Sequence, residues 1–405
     1  MYIKTDEKAQ KLPIALWALA LASFGIGTTE LVPMGLLPTI ANDLEVSLFA
    51  AGLLISVYAL GVVVGVPLLS LISTKIQRKT LLLLLVGGFV FGNLLCAWAP
   101  NYIFLMIARV VVSFMHGTFF GESYVVAARL APPEKQTSAL ALVSSGLTLS
   151  TVLGAPLGTY LGLTFDWRMP FYVIAGIGLV SFIAIAYFVP NMTQQKVASL
   201  RKQASVLRRP SVVMALCMTV FGIAGVFTVL TYITPMLEQL TRVSSHDVSA
   251  ILLVYGMGTL IGNFAGAKFA DKRLMPTLLV VLTLLAVVLA SLTFSIYHPI
   301  AAIITIFFWG VAAFASIPPL QMRILEKSSD APQFASGLNV AAFNLGNALG
   351  AFLGGLVMKD PALNLSSLPW IAAFVTLIGV IFTIISMLFD KKQLRRKGAL
   401  IHDSF

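Results

Sequence analysis

The sequence predicts an all-α integral membrane protein, and its composition, the length of its apolar runs and the placement of its basic residues lead to that prediction. Hydrophobic residues make up 58% of the 405 and charged residues only 11%, with a mean hydropathy of +0.94. Soluble proteins are nearer half apolar and a quarter charged. Such an excess of apolar residues is typical of a chain that is solvated by lipid.

Twelve apolar runs are long enough to cross a bilayer as helices. A helical span needs about 17–25 mainly apolar residues, whereas the strands of a membrane barrel alternate in polarity and are about half as long. The runs are 12–37, 49–72, 80–99, 102–128, 137–163, 169–189, 212–238, 248–270, 275–296, 299–322, 333–358 and 368–389. We therefore expect twelve transmembrane helices.

The basic residues predict the orientation of these helices. Of the 27 Lys and Arg residues, Arg168, Arg242 and Lys359 fall in loops assigned to the outside, and Arg109 falls within a run. All others fall in or beside cytoplasmic segments when both termini are placed in the cytoplasm, as the positive-inside rule requires. The net charge of +11 is then a topological signal that suits anionic membrane lipids, and it requires no nucleic-acid partner.

The second half of the chain repeats the first at a shift of 197 residues, which becomes 196 in the fifth and eleventh spans. Matching pairs include Phe24-Gly25-Ile26 with Phe221-Gly222-Ile223, and Val57-Tyr58 with Val254-Tyr255. The predicted division is a six-helix bundle over 1–190 (the first half), a cytoplasmic linker over 191–211, a six-helix bundle over 212–390 (the second half) and a basic cytoplasmic tail over 391–405. Duplicated bundles hold a substrate near the membrane midplane and rock to expose it alternately, which predicts a transporter.

Four ionisable residues lie deep within the apolar runs, and all are in the first half: Glu30, Arg109, His116 and Glu122. A charge at such a depth costs several kcal/mol, so an intramembrane ionisable group is a functional candidate by default. The second half has Phe, Ile and Ala at the positions that match the first three. We expect the first half to carry the protonation chemistry and the second half to supply mainly apolar cavity wall.

Each of the four also has an alternative role. Glu30 could be a carboxylate that the hydroxyls of the two preceding threonines cap. Arg109 could donate to backbone carbonyls and hold helices together, and His116, seven residues further on the same face, could simply pack. Glu122 lies about 140° round a regular helix from Arg109. Either Glu122 faces the central cavity and Arg109 faces helix packing, or the reverse.

Candidates for the wall of a substrate cavity come from the aromatic and amide residues of the spans. They are Phe24, Tyr58, Phe120, Tyr232, Tyr255, Trp309 and Asn344. The alternative for each is a place in the core or against lipid. One or two acids among aromatic rings suit small amphipathic compounds, including cations, whereas a sugar cavity would carry more Asn and Gln.

Three residues of the fifth span, Gly154, Pro156 and Gly158, permit close helix contact and a local kink. Phe352 replaces the proline in the second copy. We therefore expect the kink in the first half alone.

Longer stretches of the chain resemble a known family. They read GIGTTELVPMGLLPTIANDL, ALGVVVGVPLL, ARVVVSFMHGTFFG and LGAPLGTYLGLTFDWR. Together they resemble the major facilitator superfamily over residues 12–389, within it the twelve-helix drug:H⁺ antiporter group, and in that group the AraJ-type branch of sugar efflux permeases. In this family the arginine that Arg109 matches is linked to proton transfer. The motif that Gly154, Pro156 and Gly158 resemble marks antiporters, which favours efflux.

The resemblance also implies a charged latch after the second span. The family signature G-x-L-A-D-R-x-G-R-K is matched here by SLISTKIQRK, which has Thr74 in place of the aspartate and keeps the basic residues Lys75, Arg78 and Lys79. The second copy keeps both charges as Asp271 and Lys272. A charge-based gate is therefore expected to depend more on the second copy.

The combined prediction is a monomeric transporter of the bacterial inner membrane that exports small amphipathic compounds in exchange for protons. It would need a proton gradient but no cofactor or metal. The alternatives are efflux or facilitated transport of a sugar or nucleoside without strict proton coupling, and a non-transporting sensor or lipid-handling protein. The sequence has no nucleotide-binding loop of the G-x-x-x-x-G-K-[ST] kind and no catalytic signature, so an ATP-driven pump or an enzyme is not expected.

Overall fold

The computed structural model describes residues 13–73, 76–132, 135–192, 208–328, 332–359 and 363–402. Within these ranges twelve helices are long and apolar enough to cross a membrane, which confirms the predicted number of spans. All the regular elements in this part of the chain are helical. Lys75 and most of the predicted linker, residues 193–207, lie outside the described residues.

The elements of the first half make six spans. They are α1 (Ile14–Gly35), α2 (Leu37–Asp43), α3 (Leu48–Ser73), α4 (Arg78–Ala97), α5 (Tyr102–Leu130), α6 (Gln136–Leu149), a π-helical turn (Ser150–Gly154), α7 (Ala155–Thr164) and α8 (Met169–Phe188). The short α2 continues from the end of α1. The π-helical turn joins α6 to α7 within the fifth span.

The elements of the second half follow the same order of spans. They are α9 (Pro210–Leu230), α10 (Ile233–Met236), a π-helical turn (Leu237–Thr241), α11 (Ser245–Lys272), α12 (Leu274–Ser295), α13 (Pro299–Ala315), α14 (Ile317–Lys327), α15 (Pro332–Lys359), a 3₁₀ turn (Leu365–Ser367) and α16 (Leu368–His402). The eleventh span, α15, has no π-helical turn where the fifth span has one.

Three boundaries differ from those predicted. The run 212–238 is divided, since α9 ends at Leu230 and α10 begins at Ile233, with two residues between them. The run 299–322 is divided before Pro318 and Pro319, because proline lacks the N–H that would continue the helix. The tail over 391–405 is not separate from the last span, since α16 runs on to His402 through residues of good helix propensity.

Side-chain contacts between loops identify the two ends of the bundle. At one end, called the far end, the indole of Trp167 donates to Asp43 at 2.9 Å and Arg168 donates to the carbonyl of Ala99 at 3.2 Å. At the other, called the terminal end, α1 begins and α16 finishes, and Arg78 at the start of α4 pairs with Glu122 of α5. That the terminal end faces the cytoplasm stays a prediction.

The two halves are joined at the far end. The hydroxyl of Thr234 donates to the carbonyl of Met34 at 3.0 Å, and the rings of Phe49 and Phe352 are 6.5 Å apart. Of the two large hydrophobic clusters, one lies wholly within the first half, and the second combines second-half residues with Met34, Leu37, Ala41, Ala51 and Ile55 of α1 to α3. Along the seam α3 packs against α15, and α7 packs against α11. This conformation is closed at the far end.

Candidate functional site

Three of the four predicted ionisable residues meet in a buried group between the spans, here called the Glu30 cluster: Glu30, Tyr58, Arg109, His116 and Asn347. The amide of Asn347 donates to Glu30 Oε1 at 2.9 Å. The imidazole Nδ1 of His116 lies 3.9 Å from Glu30 Oε2 and 3.0 Å from the hydroxyl of Tyr58. Asn347 belongs to α15 and the other four residues to α1, α3 and α5, so the cluster spans the seam between the halves.

Arg109 contacts the cluster from α5. Its Nη1 donates to the carbonyl of Thr29 at 2.6 Å, and its guanidinium carbon lies 4.1 Å from the centre of the Tyr58 ring. Its Nε and Nη2 are buried and have no hydrogen-bond partner among the described residues. Arg109 therefore makes the predicted interhelical hydrogen bond to a backbone carbonyl. The carbonyl belongs to Thr29, the residue before Glu30.

The threonine hydroxyls before Glu30 bond elsewhere. Thr28 donates to the carbonyl of Phe24 at 2.7 Å, and Thr29 donates to Asn93 Oδ1 at 2.6 Å. The alternative that these hydroxyls cap the carboxylate is wrong. The cross-half amide of Asn347 makes that contact instead, and the sequence reasoning missed it. Its signal was an asparagine in an apolar run, the same signal that singled out Asn344.

Glu122 lies away from the cluster. It forms an ion pair with Arg78 of α4, with 2.6 Å between Glu122 Oε2 and Arg78 Nη1. This pair is near the terminal end, while Arg109, thirteen residues earlier on α5, reaches α1. The acid that the α3–α4 loop lacks at Thr74 is thus supplied by α5.

The other charged candidates at the terminal end differ in how far they are buried. Asp271 and Lys272 are exposed at the end of α11 and form no ion pair with the described residues. Lys79 is half-buried at the start of α4. The second half instead has a buried Arg323 that pairs with Asp390 at 2.7 Å and so ties α14 to α16.

Glycines of the fifth span bring that span close to α1. A Cβ at Gly154 would lie 2.1 Å from the hydroxyl of Thr28, and one at Gly158 would lie 2.3 Å from Val32. The π-helical turn ends at Gly154, and Pro156 follows within the first turn of α7. Single π-helical turns are often found at functional sites and at kinks. This turn lies where the sequence predicted a kink.

An apolar cavity adjoins the Glu30 cluster. Its lining is Leu31, Met34, Gly35, Thr151, Ala155, Ile223, Val226, Phe227, Leu230, Leu252, Tyr255, Ala313, Phe314, Ile317 and Phe343. Leu31 directly follows Glu30 in the chain, and Phe343 is one helical turn before Asn347. The lining comes from both halves and contains no charged residue.

Of the predicted cavity residues, only Tyr255 lines this cavity. The rings of Tyr58 and Phe120 lie against His116 instead, with centroids 5.8 and 5.2 Å away. Trp309 packs on Tyr255 with ring centroids 4.7 Å apart.

The other three candidates lie elsewhere. Phe24 is half-buried on α1, and Asn344 donates to the carbonyl of Val340 on its own helix. Tyr232 packs against Gly52 across the far-end seam.

Sequence reasoning missed most of the lining, including Phe227 and Phe343. A usable signal existed for Phe227, because it is the repeat partner of Glu30. At this pair of matching positions the first half buries a carboxylate and the second half buries a large apolar ring. Such a difference between repeat partners could have identified Phe227. Phe343 gave no such signal.

Twelve spans, an ionisable cluster at the seam between the halves and a cavity beside it define a membrane transporter of the alternating-access kind. The Major Facilitator Superfamily profile matches residues 19–333. The chain belongs to the Major Facilitator Superfamily, whose members are transporters and not enzymes.

Relatives in other bacteria agree with this assignment. The chain is 43% identical to the inner membrane transport protein YdhP of Escherichia coli (strain K12), over 93% of this chain and 96% of that protein. It is 35% identical to the transporter AraJ of the same organism, over 87% and 90% of the two chains. It is 30% identical to a probable sugar efflux transporter of Helicobacter pylori, over 86% and 89%. These relatives confirm the predicted AraJ-type branch and, with the twelve apolar helices, a multi-pass protein of the bacterial inner membrane.

A solved structure shares the fold. The inward-facing, unoccupied form of a bacterial homologue of the human lysosomal transporter Spinster superposes with a TM-score of 0.67 at 16% identity, over 93% of this chain and 95% of that one.

Proposed function

We propose that the protein is a proton-coupled exporter of small amphipathic compounds. The observation that supports this most directly is the hydrogen bond from Asn347 to Glu30, 2.9 Å long and buried, which joins the halves through the group best suited to bind a proton. A contact between the halves that depends on the charge of one carboxylate couples protonation to their relative position.

The coupling would work through the cost of burying a charge. In the conformation closed at the far end, Glu30 accepts from Asn347, and Arg109 donates to the carbonyl of the preceding residue; both contacts reduce the cost of burying the ionised carboxylate. Burying an ionised carboxylate without such partners costs several kcal/mol of free energy. When the halves separate at the far end, Asn347 moves away and a proton entering from that side neutralises Glu30. Proton release on the other side stabilises the far-end-closed state, and substrate binding there then favours the return.

The cavity supports an amphipathic substrate. Its walls are apolar and include the rings of Phe227 and Phe343, whose planes are nearly perpendicular at a centroid distance of 6.1 Å. Ligand cavities of this kind orient an apolar body with a few polar groups. Because one chain supplies both halves of the site, we propose that a monomer transports.

The second candidate is transport of a sugar or nucleoside without strict proton coupling. It is favoured by the relatives whose names refer to sugar efflux. The absence of Asn, Gln and charged residues from the described lining disfavours it.

Proteoliposomes test the two candidates against each other. Uptake or efflux of a panel of sugars, nucleosides and cationic or neutral drug-like compounds would be measured under an imposed pH gradient, with Glu30→Gln beside the wild type. We expect the imposed pH gradient to drive transport of at least one amphipathic compound. In Glu30→Gln the rate of that transport should fall at least about tenfold. Glu238→Gln, an acid at the far end outside the cluster, is the control and should behave as wild type. Transport that is independent of pH and unaffected by Glu30→Gln would replace this proposal with the second candidate.

A further inference from the structure

Tyr255 lines the cavity and carries a buried hydroxyl. The residue is 3% exposed and lines the cavity, and its Oη has no hydrogen-bond partner among the described residues. A buried hydroxyl without a partner costs free energy, and native proteins keep few of them. Such a group in the wall of a binding cavity is suited to bond a ligand.

The backbone holds the Tyr255 ring in place. Its helix, α11, packs directly on α13: a Cβ at Gly258 would lie 2.3 Å from the carbonyl of Phe307, and one at Gly310 would lie 2.4 Å from the carbonyl of Tyr255 itself. On the other side, a Cβ at Gly256 would lie 2.7 Å from Val152 Cα in the first-half π-helical turn. A hydroxyl on so closely packed a backbone is pre-organised, which lowers the entropic cost of binding a ligand.

The neighbouring ring of Trp309 also carries a buried polar atom without a hydrogen-bond partner among the described residues. The indole nitrogen of Trp309 is buried and has no partner among the described residues, and its ring is tilted 51° to that of Tyr255. An indole N–H can only donate. The indole therefore cannot accept a hydrogen bond from the Tyr255 hydroxyl. An acceptor on a ligand would satisfy that hydroxyl.

The remaining lining restricts what carries that acceptor. None of the cavity residues described is charged, and the acid nearest in sequence, Glu30, is occupied by Asn347. A charged ligand group would be buried here without a counter-charge, which is unfavourable. The aromatic pair of Phe227 and Phe343 offers edges and faces to an aromatic or aliphatic body.

We propose that Tyr255 is a specificity-determining residue whose hydroxyl donates a hydrogen bond to the acceptor oxygen of an uncharged, largely apolar substrate. This narrows the amphipathic class to neutral compounds with an apolar, commonly aromatic, body and at least one carbonyl, ether or hydroxyl oxygen. The inference rests on the proposed function, because it assigns the cavity beside the Glu30 cluster to the substrate.

Benzophenone and 1,1-diphenylethylene form a matched pair of probes. They share their shape and differ only in whether the central group is C=O or C=CH₂. Saturable binding of tritiated benzophenone to purified protein in detergent would be measured, with 1,1-diphenylethylene as the competitor. The variants are Tyr255→Phe, which removes only the hydroxyl, and Tyr232→Phe, a buried tyrosine that does not line the cavity.

The wild type should bind benzophenone about tenfold more tightly than 1,1-diphenylethylene, because a site built around a donor discriminates against a ligand without an acceptor. Tyr255→Phe should reduce the preference to less than about twofold and leave the affinity for 1,1-diphenylethylene unchanged. Tyr232→Phe should keep the full preference. On irradiation, benzophenone should label peptides of α9, α11 or α15.

Equal affinities in the wild type, or a preference that survives in Tyr255→Phe, would overturn the inference. So would labelling confined to peptides outside the cavity, or the lack of saturable binding by either probe. The proposed function is judged separately by the response of transport to Glu30→Gln. If that variant loses pH-driven transport while the two probes bind alike, only the role of Tyr255 fails.

Discussion

In the first half, α3 packs against α5 through Gly61 and Gly65, and in the second half α11 packs against α13 through the matching Gly258 and Gly262. The scaffold is therefore built in the same way twice. The groups held at the seam are not the same. Glu30, Arg109 and His116 of the first half are replaced by Phe227, Ile306 and Ala313, which are equally buried. The scaffold is duplicated, and the buried ionisable groups of the cluster lie on one copy.

The second half is not merely an apolar wall. It presents neutral polar groups to the seam or the cavity region, among them the amide of Asn347, the hydroxyl of Tyr255 and the indole of Trp309. A neutral donor costs less to bury than a charge. The first half thus contributes ionisable groups to this region, and the second half contributes neutral polar ones.

The largest expected difference concerns the terminal-end arginines. Arg323 is 1% exposed and donates to Ser386 and Asp390, whereas Arg78 pairs with Glu122, whose side chain is 21% exposed. Arg323→Gln should lower the free energy of unfolding by about 3 kcal/mol, because it removes a buried guanidinium that donates to both Ser386 and Asp390. Arg78→Gln should cost about 1 kcal/mol, because water screens its partner.

Unfolding in mixed detergent micelles measures both costs, with the exposed Lys391→Gln as a control that should change little. Equal costs for the two arginines would show that the latches of the two halves are equivalent, contrary to this comparison.

The next effect concerns the two asparagines of α15. Asn347→Ala removes the donor to Glu30, while Asn344→Ala removes a bond within the helix. Loss of a hydrogen bond to a charged group is worth about 1.5–3 kcal/mol, so the far-end-closed state should lose at least about tenfold in relative population in Asn347→Ala. Asn344→Ala should change it less than about threefold.

Far-end closure can be read from cross-linking between Phe49→Cys and Phe352→Cys, whose native rings are 6.5 Å apart. A short bifunctional thiol reagent would be used in a background with Cys96 and Cys217 replaced by Ala. The same cross-linking yield in both asparagine variants would contradict a coupling role for the contact with Glu30.

These asparagines also show what sequence could provide. The twelve spans, and Glu30 as a buried acid, follow from composition and hydropathy, because lipid leaves a chain few options. Asn347 and Asn344 are three residues apart in one apolar run and look alike. Which of them reaches another helix depends on how α15 meets α1, a contact between residues 317 positions apart.

The cavity lining was harder to predict for a related reason. The sequence around an aromatic residue of a membrane helix looks similar whether the ring faces lipid, the core or a cavity. Only the packing of the two halves determines which of these environments it has. The repeat could have identified Phe227 as the partner of Glu30, but it held no information on Phe343. The charge partner of Arg78 likewise came from α5 and not from the loop motif.

The shared scaffold predicts a third effect that is equal in the two halves. A Cβ at Gly154 would lie 2.1 Å from Thr28 Oγ1, and one at its repeat partner Gly350 would lie 2.2 Å from the carbonyl of Ala224. Either change to Ala should cost about 1–3 kcal/mol of unfolding free energy by overpacking. Gly121→Ala is the control, since nothing lies within 4 Å of its Cβ, and it should be neutral or stabilising by up to about 1 kcal/mol. If only one of the two repeat positions were sensitive, the scaffold would not be equivalent in the halves.

The smallest effect tests a far-end contact that belongs to the first half alone. A hydrogen bond from the Trp167 indole, assisted by Arg168, holds the pKa of Asp43 below its ordinary value near 3.8. A carboxyl with a lowered folded-state pKa contributes stability that is present above its unfolded pKa and is lost as the pH falls through the folded pKa. Between pH 6 and pH 3 the melting temperature of the wild type should therefore fall about 1–2 °C further than that of Trp167→Phe, which keeps the buried ring but lacks the donor. Trp98→Phe, at an exposed far-end position, should follow the wild type. An identical acid response in all three proteins would mean that this contact does not distinguish the far end of the first half.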